Sequence, residues 1–164
     1  MPRPPTASTA LATEHLAFIG GGVSITAGSC DRQRQPSMAR AIGCELSADG
    51  QRLRLLFCPQ RAQALLADVA ASGRIAVAYS QPSTHRTLQL KGRDGRVEPA
   101  LAGDAALLER YAQAFVAELA PMNFPEAMVR VLLQVLAAAP VAVSFTLDAA
   151  FSQTPGPGAG ARLP

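Results

Sequence analysis

The stretch SMARAIGCELSADGQRLRLLFC, residues 37–58, holds two strand-like runs on either side of ADGQ. Asp-Gly between such runs marks a hairpin, because glycine takes the positive φ of a tight turn without steric cost. The two runs are therefore predicted to be neighbouring antiparallel strands, and the rest of the chain must be built around them. An antiparallel sheet or small barrel with peripheral helices satisfies that constraint; a doubly wound parallel sheet does not.

The remaining segments fit the same class. Residues 9–19 carry Leu11, His15 and Phe18 at helical spacing, and the glycines at 20–22 end that helix. GVSITAGS reads as a strand, rich in β-branched residues. PQRAQALLADVAASG reads as a helix with Pro59 in its first turn and Gly73 as its stop. RIAVAYS is a buried strand, and THRTLQLKG an alternating one, with His85, Thr87, Gln89 and Lys91 on one face. RDGR is a second Asp-Gly turn, and VEPAL a short returning strand. Two helices follow, 103–119 with Asp104 near its N-cap and 125–139 opened by proline, and then a strand PVAVSFTLDAAF. The count is about six strands and three or four helices in a single domain spanning residues 1–164. Irregular tails are expected at 1–8 and 153–164, where proline and glycine dominate.

Composition narrows the partners. Charged residues make up only 16% of the chain, and the net charge of +3 comes from scattered arginines with no basic tract. A nucleic-acid surface needs a clustered phosphate footprint, so none is expected. No run reaches the ~20 apolar residues that span a bilayer, and the N-terminal residues lack a signal-like apolar core. A cytoplasmic location is expected. Cys30, Cys44 and Cys58 are an odd number without a C-x-x-C pair, and read as free thiols; no metal site is legible.

No nucleophile elbow surrounds a serine, and only His15 and His85 offer imidazole. GGGV at 20–23 lacks the spacing of a nucleotide loop and precedes its strand. Chemistry here therefore points to a bound organic cofactor. Gln60 and Arg61 follow a strand at the start of a helix, a corner that suits a phosphate and equally describes a solvated arginine. Arg40, between Ala39 and Ala41, either reaches into a pocket or forms the polar side of an edge strand. His85 is open between an acid–base role and a structural one. Lys91 is open between a solvated strand end and contact with a partner chain or a substrate anion.

In order along the chain, PSMARAIG, the hairpin, FCPQRAQALLADVAASGRIAVAYS and PSTHRTLQLKG resemble the pyridoxamine 5′-phosphate oxidase-related family, the FMN-binding split barrels. The resemblance runs from about residue 17 to the C-terminus. It implies a six-stranded antiparallel split β-barrel that forms a homodimer, with FMN at the subunit interface. It implies that Arg40, Gln60 and Arg61 hold the FMN phosphate, and that Ala41 and Cys58 also contact the cofactor. It implies that Arg86, Thr87 and Gln89 meet the flavin ring. The sequence departs from the oxidases in reading Gln60-Arg61 for Arg-Lys, Thr87 for glutamine, and Glu45 near the place of a basic strand residue. Their C-terminal arginine-and-histidine substrate motif is absent from SQTPGPGAGARLP. The implied function is an FMN-dependent oxidoreductase on an unidentified small molecule. The alternatives are a flavin- or haem-binding sensor or storage module, and a deazaflavin-dependent reductase.

Overall fold

The computed structural model describes residues 11–137 and 139–164. The expected tail at 1–8, the helix start at Thr9 and the position of Ala138 lie outside the described residues. In chain order the elements are α1 (Thr13–Ile19), β1 (Ser24–Cys30), β2 (Pro36–Leu46), β3 (Arg52–Phe57), α2 (Gln63–Ser72), β4 (Ile75–Ser80), β5 (Thr87–Gly92), β6 (Arg96–Glu98), α3 (Asp104–Leu119), α4 (Glu126–Ala137), β7 (Val141–Thr146) and β8 (Ala149–Ser152). A short 3₁₀ turn, Ala120–Met122, joins α3 to the approach to α4.

All strand pairs are antiparallel. The hairpin forms as its sequence requires. Asp49 accepts from the Ser47 hydroxyl and the Gln51 N–H, and Ser47 Oγ accepts from the Arg52 N–H. One extra residue, Ile42, bulges from β2 between Ala41 and Gly43. Bulges bend a strand and re-aim its neighbours, and this one lies just past Arg40.

The sheet order is β6-β7-β3-β2-β1-β4-β5-β8. Laid flat, the six spacings from β7 to β8 would separate those strands by about 29 Å. Yet only Leu147 and Asp148 join them, a reach of about 11 Å. The sheet must therefore roll up. Asp148 N donates to Lys91 O at 2.8 Å, and the Asp94 carboxylate accepts from Thr146 N at 2.8 Å, which pins the two ends together. Gly92 is needed at this seam, since a Cβ there would lie 2.4 Å from Phe145 Cδ2. Inside the roll, Tyr79, Phe57, Phe145, Leu55 and Leu90 are fully buried.

Eight strands stand where the sequence predicts six, and β6 and β8 do not pair with each other among the described residues. Two segments depart most from the sequence reading. PVAVSFTLDAAF breaks at Leu147 and Asp148 into β7 and β8, which serve opposite ends of the sheet. The strand after RDGR does not return along β5; β6 crosses to β7 because Asp94 is tied to Thr146. The C-terminal segment is irregular over most of its length, but it folds back along β8. Arg162 bridges Phe151, and Leu163 N donates to Ala150 O at 2.8 Å.

Candidate functional site

Strand alternation gives β1, β2, β4, β5 and β8 a second face, turned away from the roll. One row across it reads Arg40, Thr26, Ala78, Gln89, Phe151; the next reads Met38, Gly28, Ala76, Lys91, Ala149. Ser24, Ser80 and Thr87 form a third. Between Arg40 and Gln89 the floor carries only threonine and alanine, so a flat group can approach the backbone closely. Ser80 and Thr87 share a hydroxyl hydrogen bond of 2.8 Å, and the Thr154 hydroxyl accepts from Thr87 N at 3.0 Å. Gln153 Nε2 stands 3.5 Å from Gln89 Oε1.

α3 closes the Arg40 end of this face. Its backbone comes so near the start of β1 that a Cβ on Gly22 would lie 2.1 Å from Ala114 O. Tyr111 Oη donates to Val23 O at 2.9 Å. Burial pushes the Tyr111 phenol up to about 12, with the Arg40 charge working against the rise, so the ring stays a neutral phenol. Phe115 stacks on Tyr111 and receives the Arg40 guanidinium 4.9 Å from its centroid.

Arg40 Nη1 donates to Ser24 Oγ at 3.0 Å, and the guanidinium also interacts with the Tyr111 hydroxyl. Its Nε and Nη2 are buried without an acceptor, and no carboxylate pairs with it among the described residues. A buried charge with open donors is costly to keep, and an anion would satisfy it. Arg54, on β3, shows the opposite arrangement. It is bidentate to Asp104 at the start of α3, with Nη2–Oδ2 at 2.9 Å; Asp104 is buried and Arg54 largely so, and although the Arg54 Nε lacks an acceptor its charge is matched. Arg54 and the Leu101 N–H hold the Asp104 carboxyl below the usual carboxylate range. Asp104 is therefore a buried ion-pair partner in the first helical position, directly after the N-cap Gly103 and near the cap as the sequence suggests.

No family model matches the sequence, and no curated protein matches it either. Solved structures do. HupZ of Group A Streptococcus is 12% identical, with 92% of this chain and 100% of that one covered, at a TM-score of 0.55. An F420 reductase is 14% identical over 85% of this chain and 98% of that one, also at 0.55. A general stress protein 26-related protein of the pyridoxinephosphate oxidase family, from Clostridium acetobutylicum, is 12% identical over 85% and 84%, at 0.50. The chain has the pyridoxamine 5′-phosphate oxidase-type fold.

On this fold the sequence-predicted residues fall into three groups. Arg40, Thr87 and Gln89 share the outward face. Ala41 and Cys58 are buried, and the Cys58 thiol donates to Gln60 Oε1 at 3.2 Å, so Ala41 has only backbone to offer a ligand. Gln60 and Arg61 are exposed, in the turn that precedes α2 and not in its first turn. Cys58 O accepts from Arg61 N and Ala62 N in a separate turn, Ala62 takes non-helical angles (φ −115°, ψ 11°), and regular helix begins only at Gln63.

Arg86 and His85 lie ahead of β5. Gln81 N donates to Arg86 O and His85 N to Gln81 O, closing a turn in which His85 takes φ 60° and is exposed. The predicted polar face thus loses His85 and starts at Thr87. The Arg86 guanidinium sits 4.6 Å over the Phe18 ring and 3.8 Å from Glu14, both on α1. Sequence reasoning missed Ser24, Tyr111 and Phe115, which come from elements far apart in the chain and carry no local signal. It also missed Gln153 and Thr154; polar residues directly after the apolar run DAAF are the one hint of them.

Proposed function

We propose that this protein is a flavoprotein that binds FMN on the outward sheet face, and that it is an oxidoreductase acting on a small molecule. The observation that carries the reading is the Arg40 guanidinium, whose two buried nitrogens lack an acceptor. A phosphate satisfies both charge and donors there, and Ser24, already bonded to Arg40, adds a hydroxyl. The residues present fit the group at this end. Thr87 and Gln89, across the small-residue floor, would border the ring. Gln60 and Arg61 would stand near the phosphate only as exposed groups.

Bound FMN would supply hydride transfer to or from the substrate. The chain's own part is to hold and orient. Arg40 fixes the anionic end, Phe115 and Tyr111 keep water from the guanidinium, and the Ser80–Thr87 pair presents a hydroxyl toward the ring edge. A second subunit covering the face would complete the site, as the family resemblance implies.

Purified protein should carry flavin absorbance, or gain it with a thermal shift when FMN is added. A colourless protein that responds to neither test overturns the reading. Reduction of the bound flavin by NADH or NADPH, followed by reoxidation in air over repeated cycles, separates an oxidoreductase from a storage module. The fold likeness to an F420 reductase, together with Gln60 in place of a second cation, favours a deazaflavin as the second reading. Titration with F420 beside FMN decides between them.

A further inference from the structure

At the end of the outward face away from α3 lies an open cleft of about 560 Å³. Lys91 stands on one wall, with its Nζ 4.8 Å from the centre of the Phe151 ring. Arg162 is brought beside Phe151 by the bridge between the C-terminal segment and β8. Arg74 enters from the start of β4, and its carbonyl is held by the Ser29 hydroxyl at 2.8 Å. Gly28 and Ala76 make the floor; a Cβ on Gly28 would meet only Ser37 O, at 3.6 Å.

The charges in this cleft do not cancel. Asp148 is the only carboxylate in its lining, and it is taken by Arg93 Nε at 2.8 Å. Arg74, Lys91 and Arg162 have no ion-pair partner among the described residues. Three cations on one concave wall repel each other unless an anion sits between them, and a fixed ring beside a small-residue floor suits a flat body.

We propose that the cleft is an anion site, separate from Arg40, for a small molecule with at least two negative charges as phosphate or carboxylate. Lys91 stands two residues beyond Gln89 on the same face, where a substrate of the proposed flavin would approach; that placement rests on the flavin reading, whereas the anion site does not.

Lys91 is the only lysine in the chain, so acetylation of a side-chain amine by an N-hydroxysuccinimide ester reads this cleft alone. In full-length protein at fixed ionic strength, millimolar pyrophosphate or citrate should slow Lys91 acetylation about fivefold or more relative to sodium chloride. The reaction at the N-terminal amine should not change. Protection by pyrophosphate alone identifies a phosphate ligand, and protection by citrate alone a carboxylate. The double variant Arg74→Gln/Arg162→Gln should lose the protection, and Arg96→Gln, on β6, should keep it. Equal rates with and without both anions overturn the proposal, as does protection that survives in the double variant or follows protein concentration instead of anion. An FMN titration on the same samples keeps the two readings apart. Protected Lys91 in a protein that binds no FMN leaves the cleft standing and removes the flavin.

Discussion

Arg40 and Arg54 stand on the two strands of one hairpin, and α3 covers both. Arg54 meets the first residue of that helix in a bidentate pair with Asp104, while Arg40 meets an aromatic ring and the hydroxyls of Ser24 and Tyr111. A buried arginine whose charge is matched inside the chain is part of the scaffold. A buried arginine whose charge meets no carboxylate is prepared for something outside it. That difference, and not burial or position in a strand, assigns structure to one residue and binding to the other.

The largest effect expected from this contrast is on Asp104. Asp104→Ala leaves the Arg54 charge buried and unpaired, and should lower unfolding free energy by about 3–5 kcal/mol in urea titration. The pH dependence follows in sign. The folded Asp104 carboxyl lies below its unfolded value. Its contribution is therefore full above about pH 4 and is lost as pH falls through the lowered folded value. The wild type should lose stability along that acid limb, and Asp104→Ala should flatten it. An unchanged limb would mean that the pair does not form.

The matched substitutions come next. Arg54→Met strands the Asp104 carboxylate and should also destabilise, by about 3 kcal/mol. Arg40→Met removes a charge that has no partner, so stability should move by less than about 1 kcal/mol. FMN affinity should instead fall about ten- to a hundredfold, the worth of one charge-assisted phosphate contact. If Arg40→Met unfolds the protein and leaves FMN binding intact in the surviving fraction, the two arginines have been assigned the wrong way round.

The sequence carried the local parts of this picture. The hairpin was legible because Asp49-Gly50 fixes a turn between two strand-like runs, and α2 because Leu65 and Val69 are spaced for one buried face. Arg40 was legible as unusual, but its meaning was not. Nothing near it in the chain says that Ser24 and Phe115 will be its neighbours, or that Asp104, 50 residues after Arg54, will pair with that arginine and leave Arg40 without a carboxylate. The split of the last strand was hidden for a similar reason. Leu147 and Asp148 sit inside a run that reads as continuous, and only the rolled sheet requires a corner there. The basic cleft needs Arg74, Lys91 and Arg162 from three distant segments, which a linear reading sees as scattered charge.

The smallest expected effect sharpens the comparison most. Arg61 matches the family's phosphate pattern in sequence, yet it lies exposed in the turn before α2, and its side chain has no ion-pair partner among the described residues. A solvated arginine contributes little to a contact, because its charge is already screened by water and salt. Arg61→Gln should therefore weaken FMN by about threefold or less, with a loss that shrinks further in 0.5 M salt, where the Debye length falls to about 4 Å. Arg40→Met measured beside it should keep most of its effect at high salt, since water does not reach the buried nitrogens. A larger loss at Arg61 than at Arg40 would move the phosphate to the turn before α2 and return Arg40 to the scaffold.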